Sequence, residues 1–432
     1  MLLTILKQYL KTRWDQRVIN SQKRLENYQN RRWKVFKKNV LPHSPFYREY
    51  IDKQLEEFPI INKSIMMSEF NLINTVGLNK ESALEIALHA EETRDFSPTL
   101  NGITVGLSSG TSGQRGLFLV SPKERACWVG VLLAKIFPNS LFYQESIAFF
   151  LRANSNLYQS LANSSRLVFH YFDLTENLSS QYQQLMKIQP SILSAPATVL
   201  FELAQAKRQG FIDIHPHTIF SVAEVLEPVH QSFIESAFKV KVKQVYQCTE
   251  GFLGISNQYG AIQLNEENLI IEKEWIDEYR FIPIVTDLRR TSQPIIRYRL
   301  DDVLVRAQQS FSPFTEIRTI EGREGDICLG INRFTENTHP VFSDVIRQVL
   351  AKVRVELIDY QINQIEPLSF EIAVLALLNK EERKIIEQNL NSIFVKLNCK
   401  IPYWKWKEFE RKKFYIKRRR ISCQITWQGT RQ

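Results

Sequence analysis

Four hundred and thirty-two residues exceed what one hydrophobic core usually organises, so two or three domains are expected. Apolar residues at 44% and charged residues at 24% exclude wholesale disorder. The 56 Lys+Arg against 46 Asp+Glu give +10, but unevenly: residues 1–50 and 400–432 carry +9 each and the middle carries −8. An acidic body with basic ends is not a continuous basic groove, so nucleic acid is not expected as the main partner.

The first segment, residues 1–50, is basic and helical in pattern. Charged residues alternate with Leu, Trp, Val and Phe at helical intervals over 5–40, with no Gly or Pro before Pro42. One long amphipathic helix with a solvated basic face is the expectation. The opening MLLTILKQYL has no basic leader and no small-residue cleavage site. The longest apolar stretch, Ala126 to Phe137, is broken by Lys135 and is too short to span a bilayer. Five cysteines (Cys127, Cys248, Cys328, Cys399, Cys423) have neither disulfide-framework nor zinc spacing. A soluble, cytoplasmic chain with reduced thiols is expected.

Between about 100 and 300 the pattern alternates. Short β-branched or aromatic runs (Ile103–Leu107, Ile147–Leu151, Leu167–Phe172, Ser191–Ser194, Thr218–Val222, Val240–Tyr246) take turns with helical stretches at Leu178–Ile188, Ala197–Arg208 and Pro228–Phe238. That spacing predicts βαβ units and a mainly parallel, helix-covered sheet, with ligands at the carboxyl ends of its strands. From 281 to 306 strand follows strand. Beyond Glu321-Gly322-Arg323 the pattern resets to a helix near 341–352, strands near 353–361 and 369–377, a helix near 381–396 and a basic tail. The class is therefore α/β. A large domain spans 51–321, and a small α+β domain of about a hundred residues spans 322–432.

Four segments can carry chemistry. GLSSGTSGQRG (106–116) lies between two short strands and is followed by a helix start with Ser121 as N-cap, Pro122 first in the helix and Glu124 closing a capping box. Converging backbone N–H groups and hydroxyls in such a loop suit phosphate oxygens, although it is neither a Walker loop nor a dinucleotide fingerprint. VYQCTEG (245–251) ends a strand with a Tyr able to stack on a base, a hydroxyl donor and a carboxylate able to ligate Mg²⁺. PIIRYRLDDVL (294–304) offers Asp301-Asp302 to ribose hydroxyls, and IEGREGD (320–326) sits where a hinge would. Taken singly, each is equally a hairpin, a solvated strand end, a turn or a strand terminus.

In this order the four segments resemble the adenylate-forming superfamily of acyl-CoA synthetases, luciferases and nonribosomal adenylation domains. Within it they are most similar to phenylacetate–coenzyme A ligases and to the enzymes that adenylate a deazaflavin coenzyme. SPFYRE (44–49), FPIINKSIM (58–66), SAPATVLFELA (194–204) and SVAEVLEP (221–228) extend the likeness over about 40–330. The resemblance implies a large domain and a mobile C-terminal one, with ATP and Mg²⁺ used to adenylate a small-molecule carboxylate or a hydroxylated aromatic. Transfer to a thiol such as coenzyme A follows in many relatives.

It further implies that Ser108, Ser109, Gly110, Thr111, Ser112 and Gly113 hold the β- and γ-phosphates, that Tyr246 packs on adenine and that Ala223 and Glu224 line the purine. Thr249 would contact the α-phosphate, Glu250 would ligate the metal, Asp302 would bind the ribose, and Arg323 would approach the nucleotide. Ile416-Lys417-Arg418-Arg419-Arg420-Ile421 stands where relatives have Gly-Lys-x-x-Arg-Val, pointing to Lys417 as the catalytic lysine, with Lys413 as the alternative. Arg418, Arg419 and Arg420 would help attract polyanions.

Three departures stand out. Gln114-Arg115-Gly116 replaces Pro-Lys-Gly, Leu300-Asp301 replaces Thr-Gly, and Gly325 stands where the acidic hinge residue is usual. The competing reading is a non-catalytic nucleotide-binding or interaction protein on the same fold. Oligomeric state is not legible.

Overall fold

The computed structural model describes residues 1–95, 97–108, 115–136, 144–151, 167–310, 312–353, 359–410 and 419–425. Two compact units divide the chain. The first holds residues 1–274, 283–300 and 306–319, and the second holds 275–282, 301–305 and 320–432. The chain therefore passes between units several times, and short strand segments around 275–282 and 301–305 belong with the C-terminal residues.

The first unit opens with two helices, α1 (Leu2–Val18) and α2 (Gln22–Val40), rather than one long helix. The break has a local cause. Ile19 leaves helical geometry at ψ 87°, and Ser21, extended at ψ 155°, caps α2 by accepting from Arg24 N. The face of α2 that carries Arg32 is not simply solvated. Arg32 donates to Glu267 O at 2.8 Å, to Asn268 Oδ1 at 3.1 Å and to Leu288 O at 3.3 Å, and Gln29 donates to the carbonyls of Glu266 and Leu269. These bonds fix the loop before strand Leu269–Trp275.

After α3 (Lys63–Ser68), α4 (Phe70–Ile73) and α5 (Lys80–Thr93) comes a three-stranded antiparallel sheet of β1 (Thr99–Leu100), β2 (Ile103–Leu107) and β3 (Leu117–Val120). The run at Ile103–Leu107 thus lies outside the parallel sheet, because its partner is the strand directly across the Gly/Ser loop. That pairing brings Gly106 opposite Phe118, where a Cβ would stand 2.2 Å from the ring. Gly106→Ala should therefore lower stability by about 1–3 kcal/mol, the usual cost of overpacking, measurable by chemical denaturation.

The parallel sheet is as expected in kind. β4 (Glu145–Leu151), β5 (Leu167–Asp173), β6 (Ile192–Pro196), β7 (Thr218–Val222) and β8 (Val242–Cys248) pair in parallel in the order β5-β4-β6-β7-β8. The connecting helices include α7 (Tyr182–Ile188), α8 (Ala197–Arg208) and α9 (Pro228–Phe238), after α6 (Pro122–Ile136). On the far side of β8 the chain turns antiparallel through β9 (Gly251–Ser256) and β10 (Ile262–Leu264). The α/β class holds, with the parallel strands continued by antiparallel ones.

In the second unit, strand Asp359–Glu366 is central to a four-stranded sheet. It pairs antiparallel with Ser369–Leu375 and parallel with Ile421–Cys423, while Tyr403–Lys407 adds parallel to Ser369–Leu375. Helices Ser343–Lys352 and Lys380–Lys396 accompany it. Buried Gln364 clasps the backbone of Leu329, accepting from its N–H at 2.6 Å and donating to its carbonyl at 2.7 Å. Among the described residues no helix is long and apolar enough to cross a membrane.

Candidate active site

Each βαβ crossover places a strand end beside a helix start, and the first unit assembles its polar groups there. At the end of β7, Ala223 holds φ +64°, a left-handed conformation that costs a β-bearing residue energy and needs a supporting frame. Glu224 supplies part of that frame. Its carboxylate accepts from Thr198 N at 3.0 Å and Thr198 Oγ1 at 2.8 Å, satisfying the start of α8. The side chain of Glu224 is thus engaged at a helix terminus, and what the turn offers outward is its backbone.

At the end of β8 the chain reverses through Thr249 and Glu250 into β9. Thr249 Oγ1 donates to Glu250 Oε2 at 2.9 Å, and Arg290 Nη1 holds the Thr249 carbonyl at 2.8 Å. Tyr246, three residues back, is buried in the strand. The same Arg290 faces Glu124, the buried capping-box residue of α6. Ser121 donates to Glu124 through both N–H and hydroxyl at 2.7 Å, and Ser292 does so at 2.9 and 2.6 Å. Burial opposes ionisation of Glu124, but Arg290 and these hydrogen bonds outweigh it and leave the pKa lowered. The capping box is legible in the sequence but this second use is not, because the 290–293 loop is some 170 residues away.

The Gly/Ser loop is a hairpin connection between β2 and β3, and its described ends are locked together. Ser108 N donates to Gly116 O at 2.8 Å, and Gly116 N donates to Ser108 Oγ at 2.7 Å. Arg115 is turned back to the frame, with Nε on the Ser108 carbonyl at 3.2 Å and an ion pair to Glu91. In this arrangement it does not stand in for a phosphate-facing lysine. Ser109, Gly110, Thr111, Ser112 and Gly113 lie outside the described residues, as do Lys413 and Lys417.

These elements enclose a cavity of about 370 Å³, within the usual range for small-ligand sites. Thr104 and Phe118 come from the strands that carry the Gly/Ser loop, Ala223 from the end of β7 and Thr249 from the end of β8. The rest of the wall is mostly apolar: Trp128, Phe149, Leu151, Phe169 and Phe220 stand among it. Two cations, Arg289 and Arg290, and two carboxylates, Glu124 and Asp287, interrupt it. Arg289 lines the cavity, with Nε and Nη1 buried and without hydrogen-bond partners among the described residues. Burial, and then neighbouring Arg32, hold its pKa down at about 10, against the opposing pull of Glu267 and Asp287. Glu267 is already paired with Lys135 at 2.6 Å.

In the second unit Asp302 opens strand Asp302–Arg306, and Arg323 Nε lies 4.0 Å from its carboxylate. Asp326 accepts from Arg323 N at 2.8 Å and from Arg419 Nε at 2.8 Å, and Arg419 also donates to the Gly325 carbonyl. Arg420 donates to Asp359 at 2.7 Å. Arg419 and Arg420 are thus committed within the unit rather than presented as an attracting patch. Among the described residues no cluster of three or more His, Cys, Asp or Glu could cage a metal. Glu250 alone still suits Mg²⁺, which is commonly held by one or two carboxylates together with substrate phosphates and water.

The fold is that of the adenylate-forming enzymes. A 2-hydroxyisobutyryl-CoA ligase in its postadenylation state aligns over 92% of this chain and 89% of its own, at TM-score 0.67 and 14% identity. The GH3.15 acyl acid amido synthetase aligns over 89% and 87%, at 0.59 and 10%. The amide bond synthetase McbA of Marinactinospora thermotolerans aligns over 72% and 66%, at 0.54 and 11%. By sequence, protein CapK of Staphylococcus aureus is 23% identical over 304 residues, 63% of this chain; the chain spans about three fifths of that relative (61%). No protein-family model matches.

Proposed function

We propose that the chain is an ATP-dependent ligase that adenylates a carboxylic acid with an apolar body, releasing pyrophosphate. One observation carries this reading: the strands of the Gly/Ser loop, the Ala223 turn and Thr249 line a single apolar cavity within the first unit. That arrangement supports a substrate pocket next to the phosphate-binding loop.

In this reading a carboxylate oxygen attacks the α-phosphorus of ATP. The bond to the bridging oxygen breaks and pyrophosphate departs with the electron pair, leaving an acyl-adenylate. Such a transfer needs positioning and charge neutralisation more than a protein nucleophile. The loop 108–113 holds the terminal phosphates through backbone N–H groups. Thr249 turns its hydroxyl from Glu250 to the α-phosphate, and Tyr246 and the backbone of Ala223-Glu224 border the base; for the ribose, the sequence resemblance alone points to Asp302 and Arg323. The sequence resemblance alone assigns Lys417 the role of bringing positive charge to the reacting oxygens. Bound at Glu250, Mg²⁺ would neutralise charge on the phosphates. The acyl group then passes to a nucleophile, coenzyme A being the first to assay.

The cavity also narrows the acid. Five large apolar side chains favour an aryl or branched body, and Arg289, with unsatisfied donors, favours an oxygen acceptor on that body. ATP–pyrophosphate exchange should therefore be fastest with aromatic acids that bear a ring hydroxyl or a second carboxylate. Arg289→Met should raise KM for these by about tenfold or more while changing KM for the unsubstituted acids little. Equal losses on both sets would remove Arg289 from the substrate site. No exchange with any acid or hydroxylated aromatic, alongside measurable ATP binding, would favour a non-catalytic nucleotide binder.

A further inference from the structure

Helix α1 is apolar on two opposite faces. One face, with Ile5, Tyr9 and Thr12, is buried, and α1 packs along α6. Gly130 of α6 makes this approach possible, since a Cβ there would stand 2.6 Å from the Ile5 carbonyl. The opposite face repeats Leu3, Leu6, Leu10 and Trp14 at intervals of three and four, which sets them in one row. Leu2, Leu3, Leu6, Leu10 and Trp14 expose 80, 79, 43, 56 and 65% of their surface, so this row is a continuous apolar strip rather than scattered side chains.

The charges beside the strip have one sign. On a helical wheel Lys7 flanks the row on one side and Arg13 on the other, with Arg17 continuing it beyond Trp14. Asp15 is the sole acid in the first 25 residues, and it is buried, accepting from Lys11 and from the Tyr28 hydroxyl at 2.6 Å each. An apolar ridge with a Trp, bordered by Lys and Arg and free of exposed acid, is complementary to a surface that is apolar below and anionic above.

We propose that α1 docks this chain on the surface of an anionic lipid bilayer, lying in the plane of the headgroups without crossing the membrane. The strip enters the acyl boundary while Lys7, Arg13 and Arg17 meet lipid phosphates. The helix is held by its other face on α6, so docking needs no unfolding of the body. This inference is independent of the adenylation reading.

The test is co-sedimentation of the full chain with phosphatidylcholine vesicles, with and without phosphatidylglycerol. The chain should pellet with the anionic vesicles, at least about tenfold more weakly with the neutral ones, and less in high salt. Leu6→Glu/Leu10→Glu should abolish pelleting. Lys7→Glu/Arg17→Glu should weaken it on anionic vesicles alone. All four residues are exposed, so circular dichroism and thermal midpoint should be unchanged and serve as the folding control. Equal pelleting of wild type and Leu6→Glu/Leu10→Glu would overturn the proposal. So would a wild-type dimer by light scattering that this variant makes monomeric, with no vesicle binding: the strip would then meet a second copy of the chain.

Discussion

Glu250→Ala should reduce ATP–pyrophosphate exchange by about 10²–10³-fold or more, because one preorganised charge-stabilising contact carries that much of a transfer barrier. The fold should survive the change. Glu250 sits in the β8–β9 turn, where it receives a hydrogen bond from its own neighbour Thr249, while the turn itself is anchored by Arg290 on the Thr249 carbonyl. Glu250→Asp should keep the charge but shorten its reach, so its exchange should recover in part as Mg²⁺ is raised. That metal dependence separates a ligand from a residue that only shapes the turn. Thr249→Val, nearly isosteric and at the cavity wall, should cost less, about tenfold, as expected for one lost hydrogen bond. Lys417→Ala should approach the Glu250→Ala loss. Wild-type exchange in Glu250→Ala would refute the assignment of the β8–β9 turn.

The parallel sheet was legible because its signals are local. Residues 192–222 alternate strand and helix at the lengths that βαβ units require, and the helices at Ala197–Arg208 and Pro228–Phe238 begin and end where the pattern placed them. Two elements escaped for identifiable reasons. Thr99–Val120 reads as strands, but nothing in its period states that Ile103–Leu107 pairs antiparallel across its own loop instead of joining the main sheet. Tyr403–Lys407 alternates Trp404 and Trp406 with polar residues, a period-two strand. Its three neighbouring charges made it look like the start of a basic tail.

The candidate site was legible as motifs and not as contacts. The turn at Thr249–Glu250 lies at a carboxyl strand end, where motif and topology agree. Which charges are already spent was invisible. Arg115, Glu224, Arg419 and Arg420 each had a plausible ligand-facing role from type and position, yet each is engaged by a residue at least about twenty positions away. Arg289 was missed for the opposite reason. Both arginines of Asp287-Leu288-Arg289-Arg290 line the cavity, and nothing in the sequence distinguishes the one that braces Thr249 from the one whose Nε and Nη1 find no partner among the described residues.

Within the second unit, Arg280→Met should destabilise by about 3–5 kcal/mol, the cost of stranding buried carboxylates. Arg280 donates to Glu321 at 2.9 Å, to Asp344 at 3.2 Å and to Asp277 at 3.0 Å, and stacks 4.1 Å from the Phe342 ring. Its two buried partners do not ionise alike. Burial, and then the hydrogen bond with Asp344, push Glu321 up to about 8 in spite of Arg280. For Asp344 burial works against ionisation, but the hydrogen bond from Glu321 and the Arg280 charge overcome it and lower the pKa. Near neutrality the two carboxyl groups therefore favour holding one proton between them. The unfolded chain releases the Glu321 proton near the ordinary value of about 4.3, whereas the folded unit keeps it to about 8. Between those values the native state binds more protons, so stability falls as pH rises through that window, by an amount on the order of a few kcal/mol. Asp344 acts oppositely and only at low pH, losing its contribution as pH drops below the ordinary carboxylate range. Glu321→Gln keeps a donor for Asp344 and cannot titrate, so it should flatten the slope between about pH 5 and 8. Hydrogen exchange of peptides from 320–350 reads this unit without assuming that both units unfold together. If the variant keeps the wild-type pH slope there, Glu321 does not carry the proton and the charge on Arg280 must be balanced differently.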